Sequence, residues 1–162
     1  MASGDTLDKL LPGAQEPPAT VYATFGLRNG HPTMQFDDTT AWSFIATSIM
    51  PQNYTNTTGI TVFITATAVA TSGTMGWLVA LERMDAATDL DADSFAADQT
   101  VTATTVPGTS GDPLILSVAI TKGANMDSIV AGDTYRIRIK RDVANDSAVG
   151  NTEIMSVEIR ET

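Results

Sequence analysis

Cysteine is missing from all 162 residues, and histidine occurs once, as His31. The first absence excludes a disulfide framework, a thiolate nucleophile and any zinc centre that needs sulfur, so stability has to come from packing or assembly. The second leaves little material for a metal cluster. Basic residues are scarce as well: nine Lys and Arg against 19 Asp and Glu give a formal net charge of −10. Such a surface repels phosphate backbones, argues against nucleic acid as a partner and keeps the chain dispersed. No apolar run approaches the length that spans a bilayer. The opening Met-Ala-Ser-Gly-Asp-Thr-Leu-Asp-Lys-Leu-Leu-Pro has no basic stretch followed by an apolar one. The expectation is a soluble chain made in a cytoplasm, with no membrane partner. The Asn-x-Ser/Thr triplets at Asn53, Asn56 and Asn145 are then chance matches in a Thr-rich sequence.

What is present is alternation. Tyr135, Ile137 and Ile139 interleave with Arg136, Arg138 and Lys140 after a Gly132-Asp133 turn, the pattern of a strand with one face buried and one wet. Ile60, Val62, Ile64, Ala66 and Ala68 repeat it, as do Met75, Trp77, Val79 and Leu81, then Leu114, Leu116, Val118 and Ile120. Met155, Val157 and Ile159 predict one face of a last strand over 152–160. Asn29-Gly30 supplies the positive φ of a tight hairpin between apolar segments. Residues 85–99 read as a long acidic loop and 123–130 as one short helix. About eight strands with almost no helix predict an all-β, single-domain antiparallel β-sandwich over 21–162. Jelly-roll topology is preferred, since the Cys-Trp-Cys marks of an immunoglobulin domain are missing. Residues 1–20, with Pro12, Pro17 and Pro18, predict an extended N-terminal arm whose Leu7, Leu10 and Leu11 dock on a neighbouring subunit.

No catalytic set emerges. Asp89, Asp91 and Asp93 begin a calcium-loop spacing, but Ser94 stands at the turn-glycine position and Thr100 where a bidentate Glu belongs, so a solvated acidic loop is the better reading. Asp37 and Asp38, even with Asp5 or Glu16, are a poor glycosidase pair because adjacent strand residues face opposite ways; a turn cap fits them better. His31 sits in a turn without a nucleophile elbow, Gly108-Thr109-Ser110-Gly111 having the wrong context for one. No enzymatic activity and no cofactor are expected. Arg136, Arg138, Lys140 and Arg141 pair either with cross-strand acids such as Glu153 or Glu158, or with the carboxylates of another copy. Among Tyr22, Trp42, Tyr54, Phe63 and Trp77, the two tryptophans lie in apolar strand patterns. Tyr54, in a loop, is the exposed candidate for a sugar platform.

Several segments resemble small jelly-roll virion proteins of tailed bacteriophages. They are the N-terminal Met-Ala-Ser-Gly-Asp-Thr, Glu16-Pro-Pro-Ala19, Tyr22 to Pro32, Met50-Pro-Gln-Asn-Tyr54, Gly76 to Arg83, Asp91-Ala-Asp-Ser-Phe95, and Ala131 to Asp142. The resemblance covers most of the chain and implies a multicopy virion component, often trimeric. The first expectation it gives is a capsid decoration, or cement, protein that contacts the major capsid protein and itself. His31 and the Arg136, Arg138, Lys140 stripe would lie near a subunit contact. The alternative is a tail or head fibre module that binds host surface carbohydrate.

Overall fold

The computed structural model describes residues 4–162, and among them ten strands carry almost all of the regular structure. They are β1 (Thr6–Leu10), β2 (Thr24–Arg28), β3 (His31–Phe36), β4 (Ser43–Ile49), β5 (Gly59–Ala68), β6 (Thr74–Met84), β7 (Gln99–Thr105), β8 (Leu114–Thr121), β9 (Thr134–Arg141) and β10 (Thr152–Glu161). Two antiparallel sheets face each other. One runs β2-β3-β10-β5-β8, with β1 also on β10; the other runs β4-β9-β6-β7. The predicted fold class, a jelly-roll-like antiparallel sandwich, is the observed one.

The alternating residues build the core. Ile60, Val62, Ile64, Ala66 and Ala68 of β5 are at most 2% exposed and oppose Met75, Trp77, Val79 and Leu81 of β6 and Tyr135, Ile137 and Ile139 of β9, all 0% exposed. Phe36 and Trp77 meet edge to face, with ring centroids 4.7 Å apart, and so tie the two sheets together. Each such aliphatic side chain taken out of water stabilises the fold by about 1.5–3 kcal/mol. One charged group is equally buried: Arg141 donates to both carboxylate oxygens of Asp146 at 2.9 Å and to the carbonyls of Phe36, Ala148 and Gly150. Those bonds satisfy a guanidinium that would otherwise be costly inside a sandwich.

Four expectations are corrected. The segment expected as an arm contributes β1, which pairs with β10 through Thr6↔Arg160 to Leu10↔Val157. Leu7 and Leu10 sit in the core of their own chain, so their apolar surface is already covered, while Leu11 stays exposed. The short helix expected over 123–130 is only a three-residue 3₁₀ helix, Ala124–Met126, because Asp127 (φ 49°) and Ser128 (φ 57°) are left-handed and stop propagation. Met155 leaves the face of Val157 and Ile159, because β10 bulges between Ile154 and Ser156. Tyr54 is buried, with its hydroxyl against the Met126 sulfur at 3.6 Å.

The β2–β3 hairpin positions the features that matter below. Asn29 (φ 47°) and Gly30 (φ 82°) both take positive φ, the two-residue turn expected of this dipeptide. Pro32 has no N–H to offer, and the pairing of β3 with β10 ends two residues short of it, at Met34↔Ile154. Period two then puts Phe25, Leu27 and Met34 on one face of the hairpin and Arg28, Thr33 and Gln35 on the other.

Candidate functional site

The residues singled out in the sequence disperse. On the outer face of β9, Arg136 lies opposite Glu82 of β6 in the strand register and bonds it at 2.6 Å. The loop following β6 crosses the same face. From it Asp93 reaches Arg136 at 2.9 Å, Asp98 binds Arg138 at 3.0 Å and Lys140 at 2.8 Å, and the Phe95 ring lies under both guanidinium groups. Burial pushes the Asp98 carboxyl up, but the hydrogen bonds and charges of Lys140 and Arg138 outweigh it and hold it below the usual range. The stripe is therefore paired within its own chain, through acids other than the expected Glu153 and Glu158. Glu153 bonds Arg28 instead, and Glu158 bonds Arg160.

The acidic triplet does not converge either. Asp93 is engaged by Arg136, Asp89 accepts the backbone N–H of Asp91, and no group of three or more acids or histidine forms a metal cradle among the described residues. Asp37 caps its turn: the Thr39 hydroxyl first, then the N–H groups of Thr39 and Thr40, donate to its carboxyl and hold it below the ordinary value. Asp38 accepts the N–H of Gly150 at 2.6 Å. Trp77 is core, as its pattern predicts, and Trp42 packs partly buried against that core. His31 is exposed at the hairpin tip, with Nδ1 3.2 Å from the carbonyl of Arg28.

The structure assembles a different site at the open edge of the sandwich. Tyr22 (44% exposed) and Phe25 (59% exposed) flank a mainly apolar cleft of about 350 Å³ that reaches down to Met34. Its far rim is the stretch from Pro12 to Pro17. That rim is fastened: Gln15 Nε2 donates to the carbonyl of Ala23 at 2.7 Å, Glu16 N to the carbonyl of Ile45 at 2.7 Å, and Thr47 Oγ1 to the Glu16 carboxylate at 2.7 Å. The Gln15 Oε1 has no hydrogen-bond partner.

Val21 sets the angle of Tyr22. It is β-branched yet adopts φ +58°, a left-handed conformation that costs on the order of 1–3 kcal/mol for such a residue. Two backbone bonds impose it, Ser43 N to Val21 O and Ala23 N to Ser43 O, both 2.9 Å, around a parallel bridge between Tyr22 and Ser43. The result is a wall tied to β4 by backbone hydrogen bonds and carrying two exposed aromatic rings. Period two finds Phe25 as a strand residue, but its exposure arises because β2 ends the sheet, which no local pattern encodes.

No protein-family profile matches this chain, and no curated protein matches it. Solved structures do. A family 35 carbohydrate-binding module from an environmental isolate is similar over 94% of this chain and 92% of that one, at 13% identity and a TM-score of 0.53. The xylan-binding module CBM15 is similar over 98% of both chains, at 10% identity and a TM-score of 0.52. A carbohydrate-binding module of Cellvibrio mixtus lichenase 5A, solved with cellotriose, is similar over 98% of this chain and 99% of that one, at 11% identity and a TM-score of 0.50. At such identities the likeness is one of architecture, and the chain has the two-sheet β-sandwich fold of these modules over nearly its whole length.

Proposed function

We propose that this chain is a carbohydrate-binding β-sandwich module, serving as a tail or head fibre element on a tailed-bacteriophage virion, and that it holds neutral glycans in the edge cleft between Tyr22 and Phe25. The observation that carries this reading is the pair of exposed aromatic rings on a wall that backbone hydrogen bonds of Val21 and Ala23 tie to Ser43 of β4. A pyranose ring has an apolar face that stacks on such rings, and a wall fixed beforehand loses little entropy on binding. The similarity in fold to carbohydrate-binding modules supports the ligand class. The virion context rests on the sequence resemblance. A capsid-decoration role draws less support, because the basic stripe expected to contact neighbours is engaged within the chain.

The cleft binds without turning its ligand over. Pro12, Gly13, Gln15 and Pro17, with Tyr22 to Phe25 and Met34, line it without a carboxylate or imidazole, and the Glu16 carboxylate of the same rim is engaged by Thr47. Gel retardation in soluble neutral polysaccharides (xylan, mixed-linkage glucan, galactan and mannan) tests the proposal. At least one should retard the protein, and Y22A and F25A should each weaken retention by about tenfold or more, through lost stacking and burial. Mobility unaffected by the whole panel, or retention unchanged in the double variant, overturns it.

A further inference from the structure

The opposite face of the same hairpin carries a second cleft, also of about 350 Å³, on the outer surface of the β2-β3-β10-β5 sheet. Thr33 of β3 and Thr67 of β5 form its floor, each 1% exposed, beside the Met155 that the β10 bulge turns outward. Neither threonine hydroxyl has a hydrogen-bond partner. The wall is a polar network anchored on one buried carboxylate, Glu153. Arg28 donates to Glu153 at 3.0 Å and to Ser110 Oγ at 2.8 Å, and Glu153, only 4% exposed, also accepts from Gln35 Nε2 at 3.4 Å.

Two glycines keep this wall in place. A Cβ on Gly111, at φ +93°, would lie 2.9 Å from Arg28 Nε, and a Cβ on Gly26 would lie 2.6 Å from Gln35 Nε2. Any other residue at either position would displace the group that faces it. His31 and Asp112 complete the rim.

Buried hydroxyls in folded proteins are nearly always paired, so two orphans on the floor of one cleft mark unfilled hydrogen-bonding capacity. A hydroxyl donates and accepts at once, which matches another hydroxyl better than an ion of fixed polarity. Charge points the same way. Glu153 offsets Arg28, Asp112 adds a negative charge, and the chain carries −10 overall, so phosphate, sulfate and carboxylate ligands are disfavoured. We propose that this cleft is a second binding site, separate from the edge cleft, for a neutral polyhydroxylated ligand the size of one hexose ring.

The test is an NMR titration of the ¹⁵N-labelled chain with the methyl glycosides of glucose, galactose, mannose and xylose, with inorganic phosphate and glucuronate as charged controls. At least one glycoside should shift the amides of Arg28, Ser110 and Gly111 saturably. The T33V/T67V variant should bind that glycoside at least ~10-fold more weakly, since a site that pairs a ligand hydroxyl loses that bond. The same variant should melt at a higher temperature than the parent, because it replaces unpaired buried hydroxyls with methyl groups of similar shape. A lower melting temperature would mean that the hydroxyls serve the fold, and would overturn the proposal. So would unshifted amides with every glycoside, tighter binding of phosphate or glucuronate at these amides, or equal affinity in the variant. Polysaccharide retention that depends on Tyr22 and Phe25 reports on the edge cleft alone, so either site can fail without the other.

Discussion

Val21 shows how a single residue can hold a site at the expense of stability. The residue is 43% exposed and has little packing to lose, while its backbone sits at φ +58° because Ser43 donates to its carbonyl and accepts from the N–H of Ala23 two residues on. Asn tolerates this conformation far better than Val, since its short polar side chain bonds locally. The substitution V21N is therefore expected to raise stability by about 1 kcal/mol and to leave polysaccharide retention intact. Thermal unfolding of the variant decides it: a fall in melting temperature would show that the Val21 side chain contributes more through packing than its backbone costs.

Among the elements, β1 changes the most between reading and structure. Prolines after it and few apolar residues within it make it look like a detached arm, yet β10 outlasts its pairing with β3 and offers β1 an open edge over Val157 to Arg160. Tyr135 completes the attachment from the opposite sheet, donating its hydroxyl to Asp8 at 2.7 Å; burial, reinforced by the Asp8 charge, pushes that phenol far above its ordinary value. Glu158 latches the outer side, accepting from Arg160 at 2.7 Å and from the hydroxyl of Thr6. The Arg160 hydrogen bond, then that of Thr6, holds the Glu158 carboxyl at about 2 instead of the ordinary 4.5. A depressed carboxyl pKa contributes stability that is fully present above the unfolded value and is lost as pH falls through the folded one. The latch should therefore weaken between pH 4.5 and about 2. Carboxyl-detected NMR should show Glu158 titrating near the lower figure, and a midpoint near 4.5 would contradict the latch.

For the whole molecule, the governing fact is how few positive charges there are and where they go. Arg28, Arg83, Arg136, Arg138, Lys140, Arg141 and Arg160 all pair with acids of the same chain, seven of the nine basic residues. Glu82, 1% exposed beneath the crossing loop, also accepts the N–H and hydroxyl of Ser94, so Arg136 is needed to offset a buried carboxylate. Reversing the stripe with R136E/R138E should lower the melting temperature and free the loop over 85–98, without changing the oligomeric state. Light scattering and thermal unfolding across a salt series check this together. A change of assembly with an unchanged melting temperature would return the stripe to an intermolecular role.

Alternation was enough to read the sandwich, the hairpin at Asn29-Gly30 and the inward faces of β5, β6 and β9, because period two is a local property that burial on one side writes directly into the chain. The same rule failed at Met155, where a bulge shifts the phase, and at Asp127, where two left-handed residues stop a helix. It also failed at Leu7 and Leu10, whose partner strand lies some 150 positions away. The edge cleft was partly legible, since Tyr22 stood among the aromatic candidates. Its exposure and its pairing with Phe25 were decided only by which strand ends the sheet. The second cleft was hidden altogether: Thr33, Thr67, Arg28 and Glu153 are ordinary strand residues until β3, β10 and β5 lie side by side. Sequence alone determined which side chains turn inward along each strand, because that depends on neighbours two residues apart. Tertiary structure decided which surfaces stay open, because strand order and sheet edges are set by contacts between segments remote in the chain.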